Sequence, residues 1–360
     1  MKVRRNSSFE LLRIISMFAI VLHHYAYHGT FNWHQYSVAN LPTLRINMII
    51  LLFGKLGVDL FVILGAYFLS QKNFSVKRPI KLAVITIFYS FLIFALLSFS
   101  FPKFVNETVS QLLLPIPLPS GYWFVGAYIF MLLCMPAMNL ILQKFSMKML
   151  LSTLIILVFL WSVLPTLGFI FPGKPDFTYD VFGNSAGAYF LLLYLIGGII
   201  QRQGLDFLYA GSKLWKMLFI GIVIVVLWMY LSTQNSYLYN HYNIFVLLYN
   251  PIDLFLAITI FIFFTRFKFY SKVINEISLS MFGVYLISED SFIRPILWQH
   301  IANSNRFANN WLNYLGNALV ISFSVFAVCI IIDFLIRKIF GKLLDRVSSF
   351  LATLVECWMN

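Results

Sequence analysis

Residues 8–29, SFELLRIISMFAIVLHHYAYHG, form the apolar segment that decides the fold of this chain. The segment is long enough to cross a hydrocarbon core as a helix, yet it contains Arg13 and His24. Eleven helical steps of about 100° bring these two side chains onto one face. Ionisable groups are costly at this depth, so we expect both to face a bundle interior or a watery cavity.

Simpler explanations apply to the neighbouring histidines. His28 and His34 fit the headgroup layer at the end of the segment. His23 points about 100° away from His24, which favours a packing role. Arg13 has an alternative as a positive-inside anchor, but sharing a face with His24 favours a functional pair.

The composition of the whole chain predicts an all-α polytopic membrane protein. Hydrophobic residues make up 61% of the 360 residues and charged residues 11%, a balance that excludes a soluble domain. Apolar runs long enough to span a bilayer recur along the sequence. We predict about ten transmembrane helices, at roughly 9–28, 46–69, 79–101, 122–142, 149–171, 186–201, 214–232, 244–264, 277–297 and 312–336.

The distribution of basic residues predicts the orientation of these helices. With the N-terminus inside, 19 of the 26 lysines and arginines fall in cytoplasmic segments, as the positive-inside rule requires. Both termini are then cytoplasmic, and the net charge of +13 reflects orientation and anionic lipid rather than nucleic-acid binding. We expect a single transmembrane domain over 1–345, a short cytoplasmic tail over 346–360, and a multi-pass location in the cell membrane.

The cysteines and the usual catalytic motifs add little. Cys134, Cys329 and Cys357 show neither a disulfide framework nor metal-ligand spacing, so we expect no metal. Phosphate-binding glycine loops and the common hydrolase signatures do not occur in the sequence.

The second apolar run, GKLGVDLFVILGAYFLS at 54–70, combines small residues with a buried acid. Gly54, Gly57 and Gly65 would allow neighbouring helices to approach closely. Asp59 has two interpretations that the sequence leaves open. It either pairs structurally with Lys55 one turn earlier or has a functional role.

A basic cluster follows at the entrance to the third run, in KRPIKL at 77–82. Arg78 and Lys81 are three residues apart and therefore neighbours on a helix. Each can be explained as a positive-inside anchor, but together they also suit a phosphate-rich cytoplasmic ligand.

Taken together, these segments resemble the membrane-bound acyltransferase family 3. The resemblance rests on FELLRIISMFAIVLHH at 9–24, GVDLFVILGAYFLS at 57–70, KRPIKL, and ISLSMFGVYLIS at 277–288, in that order. It extends from about residue 8 to residue 340. Lys81 replaces the second arginine of the family motif, and Ser288 occupies a place where relatives often have histidine.

The resemblance implies an O-acyltransferase that moves an acyl group from cytoplasmic acyl-CoA, with acetyl-CoA the expected donor, to a hydroxyl of a sugar or cell-envelope polysaccharide. It makes His24 the general base and assigns donor binding to Arg13, Arg78 and Lys81. The expected partners are acyl-CoA, the carbohydrate acceptor and membrane lipids, with no nucleic acid. A homo-oligomer and a complex with a polysaccharide synthase both remain open.

An imidazole base usually needs a partner that fixes its tautomer. Helix rise places Asp253 and Glu289 closest in depth to His24, with Asp290 one residue further on. The sequence does not choose among these acids. Arg294 could neutralise Glu289 or Asp290, or bind an anionic acceptor.

A transporter is the competing interpretation. A polysaccharide exporter or lipid-linked sugar flippase could use the intramembrane His, Asp and Arg groups as a proton relay. The sequence shows no evident inverted repeats, which many secondary transporters carry, so the acyltransferase is favoured.

Overall fold

The computed structural model describes residues 6–100, 121–171, 185–203 and 212–359, and the regular elements in these ranges are all helical. The helices are α1 (Ser7–His28), α2 (Leu41–Leu69), α3 (Lys77–Ser100), α4 (Trp123–Lys144), α5 (Met147–Ile170), α6 (Ala186–Gln203), α7 (Lys213–Ser232), α8 (Ser236–Tyr242), α9 (Pro251–Thr265), α10 (Lys272–Ser278), α11 (Met281–Ser288), α12 (Ile293–Pro295) and α13 (Trp311–Met359). A wide π-helical turn, Ile296–Ala302, continues α12.

The prediction of a helical membrane protein is confirmed. Within the described residues, seven helices are long and apolar enough to cross a membrane, namely α1 to α5, α7 and α13. The 18-residue α6 and the 15-residue α9 are further apolar helices in the bundle. The number ten and the side on which the termini lie stay predictions, and residues 1–5, with the basic N-terminus, lie outside the described residues.

The prediction of one continuous span over 277–297 is wrong. The chain forms α10 and α11 and then turns at Glu289 before α12 begins. The Asp290 carboxylate accepts hydrogen bonds from the backbone N–H groups of Phe292 and Ile293, at 3.0 and 3.4 Å. An aspartate that bonds locally in this way caps a new helix instead of continuing the old one.

The last helix is much longer than a bilayer requires. α13 has 49 residues, which corresponds to about 73 Å at the helical rise. It runs without a break past residue 345, where the sequence predicted the start of a tail. Its C-terminal half pairs with α3, since Lys81 Nζ lies 2.5 Å from Asp345 Oδ1.

Small residues let α1 and α2 pack closely at the centre of the bundle. A Cβ at Gly54 would overlap the ring of His23, and one at Gly57 would overlap the Ser16 carbonyl oxygen. The predicted role of these glycines in helix packing is confirmed. The contact also places Gly54 at the same depth as His23. Their neighbours in sequence, Lys55 and His24, therefore lie at similar depth in the bundle.

A polar contact inside the bundle ties α13 to α3 and α11. The buried Asp333 carboxylate accepts hydrogen bonds from the Tyr89 hydroxyl and from Arg337 Nε, both at 2.6 Å. Arg337 also donates to the Ser280 hydroxyl at 2.8 Å. Gly283 packs directly against this carboxylate, and a Cβ there would overlap Asp333 Oδ1.

Gly283→Ala is therefore expected to destabilise the protein by about 1–3 kcal/mol, because the added methyl group must displace a carboxylate held by two partners. Gly316→Ala is the matched control, since a Cβ at that position of α13 meets nothing within 4 Å. Thermal unfolding of both purified variants in detergent checks this. An unfolding midpoint for Gly283→Ala at or above that of Gly316→Ala would contradict the expectation.

Candidate functional site

A cavity of about 240 Å³ lies between α1, α2, α4 and the break that follows α11. Its wall combines aromatic rings with ionisable side chains from α1, α2 and the segment after α11. The ionisable residues in the wall are His23, His24, His28, Lys55, Glu289 and Arg294.

His24 and Glu289 are brought together in this cavity. His24 Nδ1 lies 3.0 Å from Glu289 Oε1, and both residues are buried. The two atoms are close without the alignment of a hydrogen bond, since neither has a hydrogen-bond partner in the described part of the chain. Catalytic contacts are often poorly aligned before substrate binds. Contact through Nδ1 leaves Nε2 as the nitrogen available for chemistry.

Two more cationic or basic groups surround the same carboxylate. His28 Nε2 lies 3.6 Å from Glu289 Oε1, and Arg294 Nη1 lies 3.9 Å from Glu289 Oε2. His28 therefore faces the cavity one turn beyond His24, and its place in the headgroup layer stays a prediction. The expectation that Arg294 can neutralise Glu289 is confirmed.

The break after α11 presents Glu289 to the cavity. Because the helix ends at Ser288, the Glu289 side chain leaves the helix surface and reaches α1. Asp290 caps the next turn and also accepts a hydrogen bond from the Tyr122 hydroxyl at 2.9 Å. That hydroxyl lies 2.9 Å from the Leu286 carbonyl as well. The Asp290 carboxylate is thus bound by Tyr122 and by the backbone of the next turn, and it is not a partner for His24.

Asp253 lies elsewhere, on the α9 side of the bundle. It is fully buried in the first turn of α9, and neither carboxylate oxygen has a hydrogen-bond partner among the described residues. No ion pair joins it to His24 in the part of the chain described. Its electrostatic neighbours are Asp59 and Lys55. Of the acids left open by the sequence, only Glu289 reaches His24.

Asp59 is held by a tyrosine rather than by the lysine one turn earlier. Its Oδ2 accepts a hydrogen bond from the Tyr189 hydroxyl at 3.0 Å. Lys55 forms no ion pair with Asp59 within 4 Å, so the structural pairing considered from the sequence is wrong. Lys55 instead lines the His24 cavity.

A second cavity, of about 300 Å³, contains Arg13. Arg13 Nη1 lies 2.5 Å from Glu10 Oε2, so the two residues, three apart on α1, form an ion pair. Leu82 and Tyr128 belong to the wall of this cavity, and Phe124 contributes to the walls of both cavities. Arg13 and His24 therefore face the same side of α1, one in each cavity.

The basic residues at the start of α3 lie next to the second cavity. Leu82, which lines that cavity, follows Arg78 by one helical turn. Arg78 Nη1 donates to the Asn73 carbonyl at 2.7 Å. Lys81 is half exposed and pairs with the equally exposed Asp345. Surface ion pairs of this kind contribute only about 0–1 kcal/mol, so the pair does not prevent Lys81 from meeting another anion.

His24, His28 and Glu289 could in principle hold a metal ion. Their ligand atoms lie within 4.8 Å of one another, and two histidines with one carboxylate form a known zinc donor set. However, Lys55 and Arg294 face the same cavity, and two positive charges oppose binding of a divalent cation. We assign no metal to the group, and the lack of a metal stays a prediction.

Sequence reasoning missed two cavity residues, His28 and Lys55. The signal for His28 was its position one turn after His24, on the same face. The signal for Lys55 was a lysine in the middle of an apolar run, next to a glycine that brings α1 close.

The fold is that of a helical membrane protein with an internal cavity in which His24 and Glu289 meet. A family model described as an acyltransferase domain matches residues 6–337. The chain belongs to acyltransferase family 3 and is a membrane acyltransferase, which agrees with the resemblance found in its motifs. No curated protein and no solved structure matches the chain.

Asp290→Ala is expected to lower stability by about 0.5–2 kcal/mol, because it removes the side-chain hydrogen bonds to the Phe292 and Ile293 N–H groups in the turn before α12. It is also expected to reduce acyltransferase activity, because the turn that aims Glu289 at His24 loses its anchor. Asp290→Asn, which can still cap, should recover most of both. Unfolding midpoints and acyl transfer are measured on the same preparations, with Tyr122→Phe as the variant that loses only the hydroxyl contact. Full activity in a destabilised Asp290→Ala protein would show that the cap does not position Glu289.

Proposed function

We propose that this enzyme transfers a short acyl group, acetyl in the simplest case, from cytoplasmic acyl-CoA to a hydroxyl of a sugar or cell-envelope polysaccharide. The observation that carries the proposal is the contact between the buried His24 Nδ1 and Glu289, in a cavity whose wall also carries Lys55 and Arg294. A hydroxyl is a poor nucleophile near neutral pH, and histidine has the pKa range that suits removal of its proton. Once substrate aligns this contact, the Glu289 carboxylate accepts the Nδ1 proton in a hydrogen bond and holds the imidazole in the tautomer whose Nε2 can accept the hydroxyl proton.

The transfer balances without any further reagent. His24 Nε2 takes the hydroxyl proton as the acceptor oxygen bonds to the thioester carbonyl carbon. The carbon–sulfur bond then breaks, and the departing thiolate receives the proton from the His24 imidazolium. The products are the ester and free CoA thiol, and His24 returns to its neutral state. Glu289 stabilises the imidazolium that exists between these steps.

The two cavities allow the donor and the acceptor to reach His24 from opposite sides. The pantetheine arm of acyl-CoA is long and thin, and its phosphates are the natural partners of Arg13, Arg78 and Lys81. In this proposal the arm enters through the cavity of Arg13 and delivers the thioester past Phe124. The small volume of the His24 cavity suits an acetyl-sized group beside a hydroxyl rather than a long acyl chain.

His24→Ala is expected to lower acyl transfer by about 10²–10⁴-fold, the usual loss when a general base is removed. His34→Ala, in an exposed loop, is the matched control and should retain activity. The measurements are release of free CoA thiol by purified protein and ester content of the envelope polymer made by the cells. Polymer should still be secreted, but without its esters.

The opposite result would contradict the proposal. If the His24→Ala strain secretes fully esterified polymer, His24 is not the base. If secreted polymer disappears while the remainder keeps its normal esters, the protein acts in export rather than in acylation.

Arg78→Ala is expected to raise KM for acyl-CoA by about tenfold or more at nearly constant kcat, because hydrogen bonds to charged groups contribute about 1.5–3 kcal/mol. Arg78→Lys should also bind the donor less well if the contact is bidentate. Lys148→Ala, an exposed basic residue at the start of α5, is the control for lost positive charge. Wild-type donor affinity in a folded Arg78→Ala protein would exclude the assignment.

A further inference from the structure

Lys55 is a cation in the middle of the bundle that the reaction described above leaves unused. It lies on α2 next to Gly54, which packs against the ring of His23, so Lys55 is level with the catalytic end of α1. Its side chain lines the same cavity as His24 and is only partly exposed there. A lysine at membrane depth is costly unless its charge has a purpose or a partner.

Within the described residues, Lys55 has neither an ion pair nor a hydrogen bond. Its ammonium lies 5.8 Å from the centre of the Trp123 ring. Asp253, Asp59 and Glu289 act on it electrostatically from a greater distance than an ion pair. None of these acids covers the ammonium group.

Arg294, the other cation in the cavity wall, has an ionic partner. Its guanidinium lies 3.9 Å from Glu289 Oε2, so part of its charge is already balanced by the carboxylate that contacts His24. Lys55 approaches the cavity from α2, whereas Glu289 approaches from the break after α11. Lys55 is therefore the cation of this cavity whose charge is available to a bound group.

Acyl transfer creates a negative charge at one defined atom. When the acceptor oxygen bonds to the carbonyl carbon, the carbonyl π pair moves onto its oxygen, and it returns when the carbon–sulfur bond breaks. A donor that is already oriented toward that oxygen in a water-poor site lowers the barrier of this step. The thioester carbon must lie within reach of the hydroxyl that His24 deprotonates, and hence inside the cavity that Lys55 lines.

We propose that the Lys55 ammonium binds the thioester carbonyl oxygen and stabilises the oxyanion of the tetrahedral intermediate. Lys55 keeps its proton throughout, since His24 carries the proton between hydroxyl and thiolate. Asp59 and Asp253 lie beyond ion-pair distance of the ammonium, and Asp59 accepts a hydrogen bond from the Tyr189 hydroxyl. This inference rests on the proposed acyl transfer.

The test compares Lys55→Met with Lys55→Arg in the full-length, purified protein. Lys55→Met removes the charge at similar length and should lower kcat by about 10²–10³-fold, the usual cost of losing one oxyanion donor. KM for acyl-CoA and for the acceptor should change by no more than about twofold, because the oxyanion exists only after addition. Lys55→Arg keeps a cation and should recover part of kcat.

Two further measurements separate this role from others. Binding of a non-reactive thioether analogue of the donor should be unchanged in Lys55→Met, and unfolding midpoints report whether either variant is misfolded. A raised acceptor KM at normal kcat would make Lys55 an acceptor anchor and overturn the proposal. Equal loss of stability and donor binding in both variants would make it a structural residue and would also overturn it.

His24→Ala distinguishes failure of this inference from failure of the function on which it rests. An inactive His24→Ala protein beside a fully active Lys55→Met protein would overturn only the role of Lys55. Activity in His24→Ala would overturn the acyl-transfer mechanism itself.

Discussion

Ionisable side chains at membrane depth cannot face lipid, and the arrangement of the bundle depends on this constraint. α1 carries Arg13, His24 and His28 along one side, and this side is turned toward the interior. α2 lies against another side of α1, at a distance that only glycines permit. Because α1 and α2 approach so closely, Lys55 of α2 reaches the cavity that His24 lines.

The broken segment after α11 is the counterpart of α1. A continuous helix there would place Glu289 and Asp290 on its own surface, about 100° apart. The Asp290 cap ends that regularity and lets Glu289 extend toward the histidines. Breaking a helix inside a membrane exposes backbone groups, and these are tolerated where they line a polar cavity or are bonded by neighbours such as Tyr122. The residues at the break therefore line the same cavity as the histidines.

Phe124 separates the two cavities, one with the fixed cation Arg13 and one with His24. This division suits a reaction in which a donor held by its phosphates meets an acceptor from the other side. The aromatic ring is packed against Phe61, Tyr128 and Tyr285, with ring centres 5.5–5.8 Å apart, so its position is well supported. In the proposed reaction the thioester is the part of the donor that passes it.

The sequence by itself determined the class of protein, the face shared by Arg13 and His24, the close-packing glycines and the family. These follow from hydropathy, helical periodicity and local motifs, which act over a few turns. Only the tertiary structure decided that Glu289, and not Asp253, contacts His24, and that Lys55 faces the cavity rather than Asp59. Depth along a helix can be counted from the sequence, but the rotation of each helix and the break at Glu289 depend on packing between segments more than 200 residues apart.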